Sequence, residues 1–292
     1  MQDNTDNRIV ITGMGINTPI GDDLDSFFRN LVEGRSAITR WKYFDTGKCY
    51  SKVGGDLSEY DVKGKAADLR ERLDGDRHKR LRKLVKKAPF ATQLSLLCAA
   101  DAYLDAGLTD AIEPERAGVI VGGHNLHNNH FFHNNLQYEE EPEYIDSWLA
   151  LNGLDTDVAA SVGEMLGMQG PVYTMGGACA SANIALRAAV DEILHHGHDT
   201  MLVVGAPLDF APVDLHAMAI MGAITYESFN DTPERASRPY DSAREGFVPS
   251  HGAAVLVIER LRHALQRGAR IHGEVLGVAT GSDGNHLPTP SV

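Results

Sequence analysis

Cysteine is scarce. The 292 residues hold three, Cys49, Cys98 and Cys179, and no two form a Cys-x-x-Cys pair. That spacing argues against a zinc knuckle and a dithiol redox motif. An odd, scattered set of thiols suits a reducing compartment. Basic charge is also short: 27 Lys and Arg against 40 Asp and Glu leave a formal net charge of -13. Global attraction to nucleic acid or to an anionic membrane is therefore not expected. The first residues, Met-Gln-Asp-Asn-Thr-Asp, lack the basic and apolar regions of a signal peptide. No apolar run approaches the roughly 18–20 residues needed to span a bilayer. No short-period repeat, low-complexity tract or Pro/Gly-rich linker divides the chain. These absences predict a soluble cytoplasmic protein without membrane or nucleic-acid partners.

What is present reads as an ordinary globular chain. Hydrophobic residues make up 43% and charged residues 23%. The length can bury a substantial core, as one large domain or two small ones. Residues 8–13, 117–122, 200–205, 253–259 and 271–279 are apolar, β-branched runs and read as strands, with a shorter one at 173–175. Helical patterns fall at 22–31, 80–106, 154–166, 179–195 and 260–267. Residues 35–80 look irregular, and the polar, aromatic stretch 124–150 is ambiguous. Strands alternating with helices, several of them continuously apolar, predict an α/β fold with sheets covered on both faces.

One thiol has a chemical context. Cys179 lies in Pro171-Val-Tyr-Thr-Met-Gly-Gly-Ala-Cys-Ala-Ser-Ala-Asn-Ile-Ala-Leu186. A short strand meets small residues, then Cys, then a strong helix former. Gly176, Gly177, Ala178 and Ala180 allow a tight turn that holds the thiol at a helix start. Unpaired N–H groups and the helix dipole there favour a thiolate nucleophile. A backbone N–H of the same turn can meet an oxyanion on an attacked thioester. The plainer reading is a buried structural cysteine, which is commoner for any single cysteine. Cys98, amid Leu96-Leu97-Cys98-Ala99-Ala100, reads as core, and Cys49 has no supporting context.

Four ordered motifs resemble the β-ketoacyl-acyl-carrier-protein synthases, the condensing enzymes of fatty-acid and polyketide synthesis. They are the opening strand Val10-Ile-Thr-Gly-Met-Gly15, the cysteine turn, Ala236-Ser-Arg-Pro-Tyr-Asp241 with Arg244-Glu-Gly-Phe-Val248, and Gly281-Ser-Asp-Gly-Asn-His286-Leu-Pro-Thr-Pro290. The resemblance runs through essentially the whole chain. It implies a thiolase-like fold, layered α-β-α-β-α from two similar βαβ-rich halves, usually as a homodimer. It implies that Cys179 takes an acyl group from the phosphopantetheine of an acyl carrier protein, without a further cofactor. A malonyl thioester then loses carbon dioxide, and its carbanion attacks the acyl-Cys. His286 matches the first of two family histidines that hydrogen-bond the malonyl carbonyl, and Asp283 and the prolines suit a rigid loop that aims it.

The resemblance departs in two places. The family runs on beyond the His286 motif, to a second histidine, a lysine and a glycine-rich oxyanion loop. The expectation is an N-terminal synthase region at 1–255 carrying the nucleophile and, at 256–292, the start of a C-terminal half that stops short. The chain then needs more sequence or a complementing synthase chain. Second, a buried acid usual after Gly-Phe-Val is replaced by His251 in Pro249-Ser250-His251-Gly252-Ala253. That leaves two alternatives to a synthase. One is a malonyl-carrier-protein decarboxylase, although such relatives tend to replace the nucleophile. The other is a non-catalytic chain-length-type partner subunit, against which retention of Cys179 also argues.

Three other features bear on function. Residues 77–87 carry seven basic side chains, Arg77, Lys79, Arg80, Arg82, Lys83, Lys86 and Lys87. A charge run is usually a solvated helix face; here the family resemblance and an acidic carrier protein make it a candidate docking site, steered by complementary charge. Nucleic acid fits it poorly, since no aromatics interleave. His124, His127, His130 and His133 recur every third residue. On a helix they would lie roughly along one face, but no Cys or compact acidic set completes a metal shell, and no metal site is predicted. Gly13-Met-Gly15-Ile-Asn17 fails as a dinucleotide loop because no third glycine falls in register.

Overall fold

The computed structural model describes residues 7–108 and 112–285. The chain opens with strand β1 (Ile9–Asn17) and helix α1 (Leu24–Val32), followed by short strands β2 (Ile38–Arg40) and β3 (Val53–Gly55). Three helices follow: α2 (Val62–Asp68), α3 (Gly75–Val85) and α4 (Phe90–Asp105). Next come β4 (Ala117–Gly122), α5 (Asn128–Glu140), α6 (Leu149–Asn152), α7 (Thr156–Leu166) and β5 (Val172–Met175). Helix α8 (Ser181–His195), β6 (Thr200–Gly205), α9 (Pro212–Ile220), β7 (Ala253–Arg260), α10 (Leu261–Gln266) and β8 (Gly273–Val275) complete it. No described helix is long and apolar enough to cross a membrane.

Six strands form one sheet in the order β5-β4-β6-β7-β1-β8. β4 pairs in parallel with β5 and β6, whereas β7 runs antiparallel to both β6 and β1. The sheet is therefore mixed. The expectation that it is covered on both faces holds: α4 and α7 pack on one face and α8 on the other. These are three layers, α-β-α. The division read at 255/256 falls within β7, which pairs with β1 along the length of that strand.

Close approach of α4 to the sheet depends on two glycines of β1. A Cβ on Gly15 would lie 2.2 Å from the Cys98 carbonyl oxygen, and one on Gly13 2.4 Å from that of Ala102. The helix is apolar on nearly all sides and is buried accordingly.

Two elements differ from the sequence reading. The stretch 35–80 is more ordered than expected, because caps compensate for weak apolar periodicity. The Asp61 carboxylate accepts from the Gly64 N–H at 2.8 Å to start α2, and Asp74 accepts from the Arg77 N–H at 3.0 Å to start α3. The single helical pattern at 80–106 is two helices. Pro89 stands at the start of α4, where its missing N–H costs nothing, and it disfavours helix at the residue before it.

Candidate active site

The parallel strands β4, β5 and β6 end on one edge, with Gly122 in register with both Met175 and Gly205. Loops at the carboxyl ends of parallel strands are where such sheets bind ligands. Cys179 sits there and is exposed. It occupies a short 3₁₀ turn, Ala178–Ala180, between β5 and α8. Ala178 adopts φ +48, a left-handed conformation uncommon for a residue with a Cβ. The sharp turn this makes lifts the thiol out at the start of the 15-residue α8.

Ser181 braces the turn from both sides. Its hydroxyl accepts from the Gly177 N–H at 2.9 Å and donates to the Ala178 carbonyl at 2.7 Å. The sheet edge is bare enough to let α8 in. A Cβ on Gly122 would lie 2.5 Å from the Ser181 carbonyl oxygen and 2.6 Å from the Ala182 Cα. The small residues around Cys179 were legible as a turn. The brace was not, although a serine two residues past the cysteine at a helix start was a usable signal. Ser181→Ala is expected to slow acylation of Cys179 about tenfold through loss of these two bonds, while iodoacetamide still labels the thiol.

His124 is a second residue that sequence reasoning placed differently. It lies two residues past the end of β4. A Cβ on Gly176 would lie 3.3 Å from the His124 Cβ, so the imidazole stands beside the cysteine turn. Its loop is held on both flanks. The Asp155 carboxylate accepts from the Asn125 and Leu126 N–H groups at 3.0 and 2.8 Å. The Asp209 N–H donates to the Leu126 carbonyl at 3.2 Å, and the Asp209 carbonyl accepts from the Asn129 N–H at 2.9 Å. Burial pushes the Asp209 carboxyl up to about 7.

The four histidines do not share a helix face, because α5 begins only at Asn128. His127 is buried, and burial pushes its imidazole down to about 4. His130 pairs with Asp146 at 3.3 Å. Among the described residues no group of three or more His, Cys, Asp or Glu is placed to hold a metal ion.

Cys98 is buried in α4, and burial pushes its thiol up. Cys49 is also buried, its thiol donating to the Pro212 carbonyl at 3.4 Å. His286 lies outside the described residues. The segment before it is tied to α8, since the Arg187 guanidinium donates to the Thr280 hydroxyl. Its Asp283 carboxylate accepts from the Asn285 N–H at 3.1 Å, an Asx turn that tightens the chain just before His286.

His251 is fully enclosed. The rings of Trp41, Tyr43 and Phe90 surround it at 5.0, 5.1 and 4.9 Å between centroids. Its Nδ1 accepts from the Leu57 N–H at 3.2 Å, so the ring is neutral. Burial pushes it down to about 4, against the pull of the Asp56 carboxylate 3.8 Å away. The unfolded imidazole titrates near 6.5. Between about pH 6.5 and 4 the unfolded chain therefore binds a proton that the folded chain refuses. The stability His251 contributes is full above that range and falls by about 1.4 kcal/mol per pH unit as the solution is acidified. His251→Phe removes this dependence: from pH 7 to 4.5, urea denaturation will show the variant losing about 2 kcal/mol less than the parent chain.

The basic run occupies α3 and the turn after it. Lys79, Arg80, Arg82, Lys83, Lys86 and Lys87 are exposed. Arg77 turns inward, bonded to Asp74 at 2.7 Å and to the Leu166 carbonyl at 3.2 Å, with its guanidinium 5.1 Å from the Tyr103 ring. Arg80, one turn on, also reaches α7, donating to the Glu164 carbonyl at 3.1 Å, but stays exposed. Lys79, Arg82, Lys83, Lys86 and Lys87 line a groove of about 690 Å³ with Arg70.

A layered α/β frame that presents a cysteine at a braced turn between strand and helix is that of the thiolase-like proteins. Within them the chain belongs to the β-ketoacyl synthase family, whose N-terminal-domain model matches residues 6–264. It is 30% identical over 285 residues to the polyketide biosynthesis malonyl-ACP decarboxylase PksF of Bacillus subtilis, covering 98% of this chain and 65% of that protein. It is 32% identical over 285 residues to the chloroplastic 3-oxoacyl-acyl-carrier-protein synthase I of Arabidopsis thaliana, covering 97% of this chain and 58% of that one. A β-ketoacyl synthase structure from Burkholderia phymatum STM815 superposes with a TM-score of 0.80 at 26% identity, covering 97% of this chain and 66% of the other. The chain thus spans 58–66% of the length of these relatives.

Proposed function

We propose that this chain is the nucleophile-bearing part of a carrier-protein-dependent β-ketoacyl synthase. The observation that carries the reading is the exposed Cys179 on its left-handed turn at the start of α8. The thiolate attacks the acyl-carrier thioester, the carrier's phosphopantetheine thiol leaves, and an acyl-Cys forms. N–H groups of the turn offer hydrogen bonds to the oxyanion. A malonyl thioester then loses carbon dioxide, and its α-carbon attacks the acyl-Cys, releasing Cys179 and a β-ketoacyl product. His286 hydrogen-bonds the malonyl carbonyl as the enolate forms.

The exposed basic side chains Lys79, Arg80, Arg82, Lys83, Lys86 and Lys87 receive the acidic carrier protein, and Arg77 holds their helix in place. Pairing with a second synthase chain and a cytoplasmic location complete this reading. No metal or further cofactor enters it.

The test is direct. Incubation with an acylated carrier protein is expected to add one acyl group to the intact mass of the chain. An unchanged mass would overturn the synthase reading. The likeness to a malonyl-ACP decarboxylase supports a second reading, in which carbon dioxide is released from malonyl-carrier protein without an acyl primer. Retention of Cys179 favours condensation.

A further inference from the structure

We propose that His124 determines which acyl group Cys179 accepts: its imidazole hydrogen-bonds an oxygen on the β-carbon of that group, so β-hydroxyacyl and β-ketoacyl primers are taken in preference to plain alkyl ones. This rests on the synthase reading above and adds the acyl class that the reading leaves open.

His124 does no structural work that accounts for it. Of the four spaced histidines, His127 is buried, His130 pairs with Asp146 at 3.3 Å, and His133 meets the Phe132 ring edge-on at 5.6 Å between centroids. Among the described residues the His124 side chain makes no hydrogen bond, ion pair or ring contact. It is nevertheless half-buried. A polar ring held partly out of water without a partner is disfavoured unless a ligand supplies one.

The ring is also held in position. The Gly123 N–H donates to the Met175 carbonyl at 3.0 Å, which ties the loop to the end of β5. On the other side Asn125 adopts φ +54, a left-handed conformation uncommon for a residue with a Cβ, and its N–H is bonded to the Asp155 carboxylate at 3.0 Å. The imidazole lies along Gly176, where an added Cβ would stand 3.3 Å from the His124 Cβ and 3.8 Å from its Cδ2. Gly176 begins the short segment that curls through Ala178 to Cys179. A preformed polar wall therefore stands beside the nucleophile's turn.

The chemistry of the bound acyl group selects what meets that wall. N–H groups of the turn take the thioester carbonyl, so the imidazole beside them is left for the next oxygen along the chain. In a β-ketoacyl group, or in the β-hydroxyacyl group that its reduction gives, that oxygen is on the β-carbon. An imidazole N–H donates to either. A plain alkyl chain laid in the same place desolvates the ring and returns no hydrogen bond. A site built to bond an oxygen rejects the analogue that lacks it. The primer then comes from an earlier condensation, with or without reduction of the ketone.

The experiment compares butyryl and β-hydroxybutyryl groups, each loaded on a recombinant acyl carrier protein, by the rate at which each adds to the intact mass of the full chain. The parent chain is expected to take β-hydroxybutyryl roughly tenfold faster. His124→Ala is expected to bring the two rates to near parity, and His124→Gln, which keeps a donor, to retain part of the preference. The ratio of the two rates is insensitive to a general loss of activity, and circular dichroism checks that each variant folds. Equal rates in the parent chain overturn the inference and leave the acyl-Cys reading standing. A preference that survives in His124→Ala also overturns it, by assigning the selection to other residues. A parent chain that takes up neither group overturns the synthase reading and this inference with it.

Discussion

Cys179→Ala will leave the chain unable to take up an acyl group, a loss on the order of a thousandfold or more in acylation rate. The two other thiols offer no substitute. Cys98 is 1% exposed, on α4 where the helix backbone packs against Gly15 of β1, and burial pushes its thiol up. Cys49 is 5% exposed, and burial raises it too. Neither reaches a thioester held on a separate carrier protein, and neither gives much thiolate. Cys49→Ala and Cys98→Ala should therefore keep the adduct. Because Cys179 is exposed, its removal should change stability by less than about 0.5 kcal/mol. Intact mass and a thermal melt of the three variants check this. An acyl adduct that persists on Cys179→Ala would remove the cysteine from the mechanism.

Gly122→Val should damage both stability and acylation. Any Cβ at the end of β4 meets backbone, the Ser181 carbonyl oxygen at 2.5 Å and the Ala182 Cα at 2.6 Å. No rotamer change relieves a backbone contact. The start of α8 must move off the sheet, and with it the Ser181 hydroxyl that bridges Gly177 and Ala178. Forcing a larger residue into such packing costs about 3 kcal/mol. Acylation of Cys179 should fall at least about tenfold, since a displaced turn no longer aims the thiol and its N–H groups together. Chemical denaturation and intact-mass kinetics separate the two effects. A variant with parental stability and acylation would show that α8 does not need this close approach. Gly205 provides a control on the neighbouring strand. Its added Cβ would lie 3.7 Å from the Ala182 Cβ, an ordinary contact, so Gly205→Ala should acylate like the parent chain.

Much of this was legible in sequence because it is local. Continuous apolar runs marked β4, β6 and β7 as buried strands, since a strand covered on both faces needs no polar alternation. Small residues around Cys179 marked a sharp turn before a helix, because only small side chains tolerate that geometry. Other features depend on residues that meet from distant parts of the chain. The antiparallel placement of β7 beside β1 joins residues from opposite ends of the chain, as in Ile9 opposite Arg260. The aromatic box around His251 draws Trp41, Tyr43 and Phe90 from far upstream, and its ring state follows from that enclosure. A regular histidine spacing promised one helical face, but α5 starts too late to build it.

The sequence by itself determined the strands of the six-stranded sheet, the family motifs, and which cysteine has chemical context. Those are matters of composition and short spacing, which neighbouring residues settle among themselves. Tertiary structure decided what surrounds that cysteine. It set Ser181 as the brace, His124 as the neighbour and Gly122 as the opening that admits α8, and, elsewhere, turned Arg77 of the basic run inward. The reason is steric and dielectric. Close approach and burial exist only once distant segments are packed, and packing is what fixes which groups touch and which carry charge.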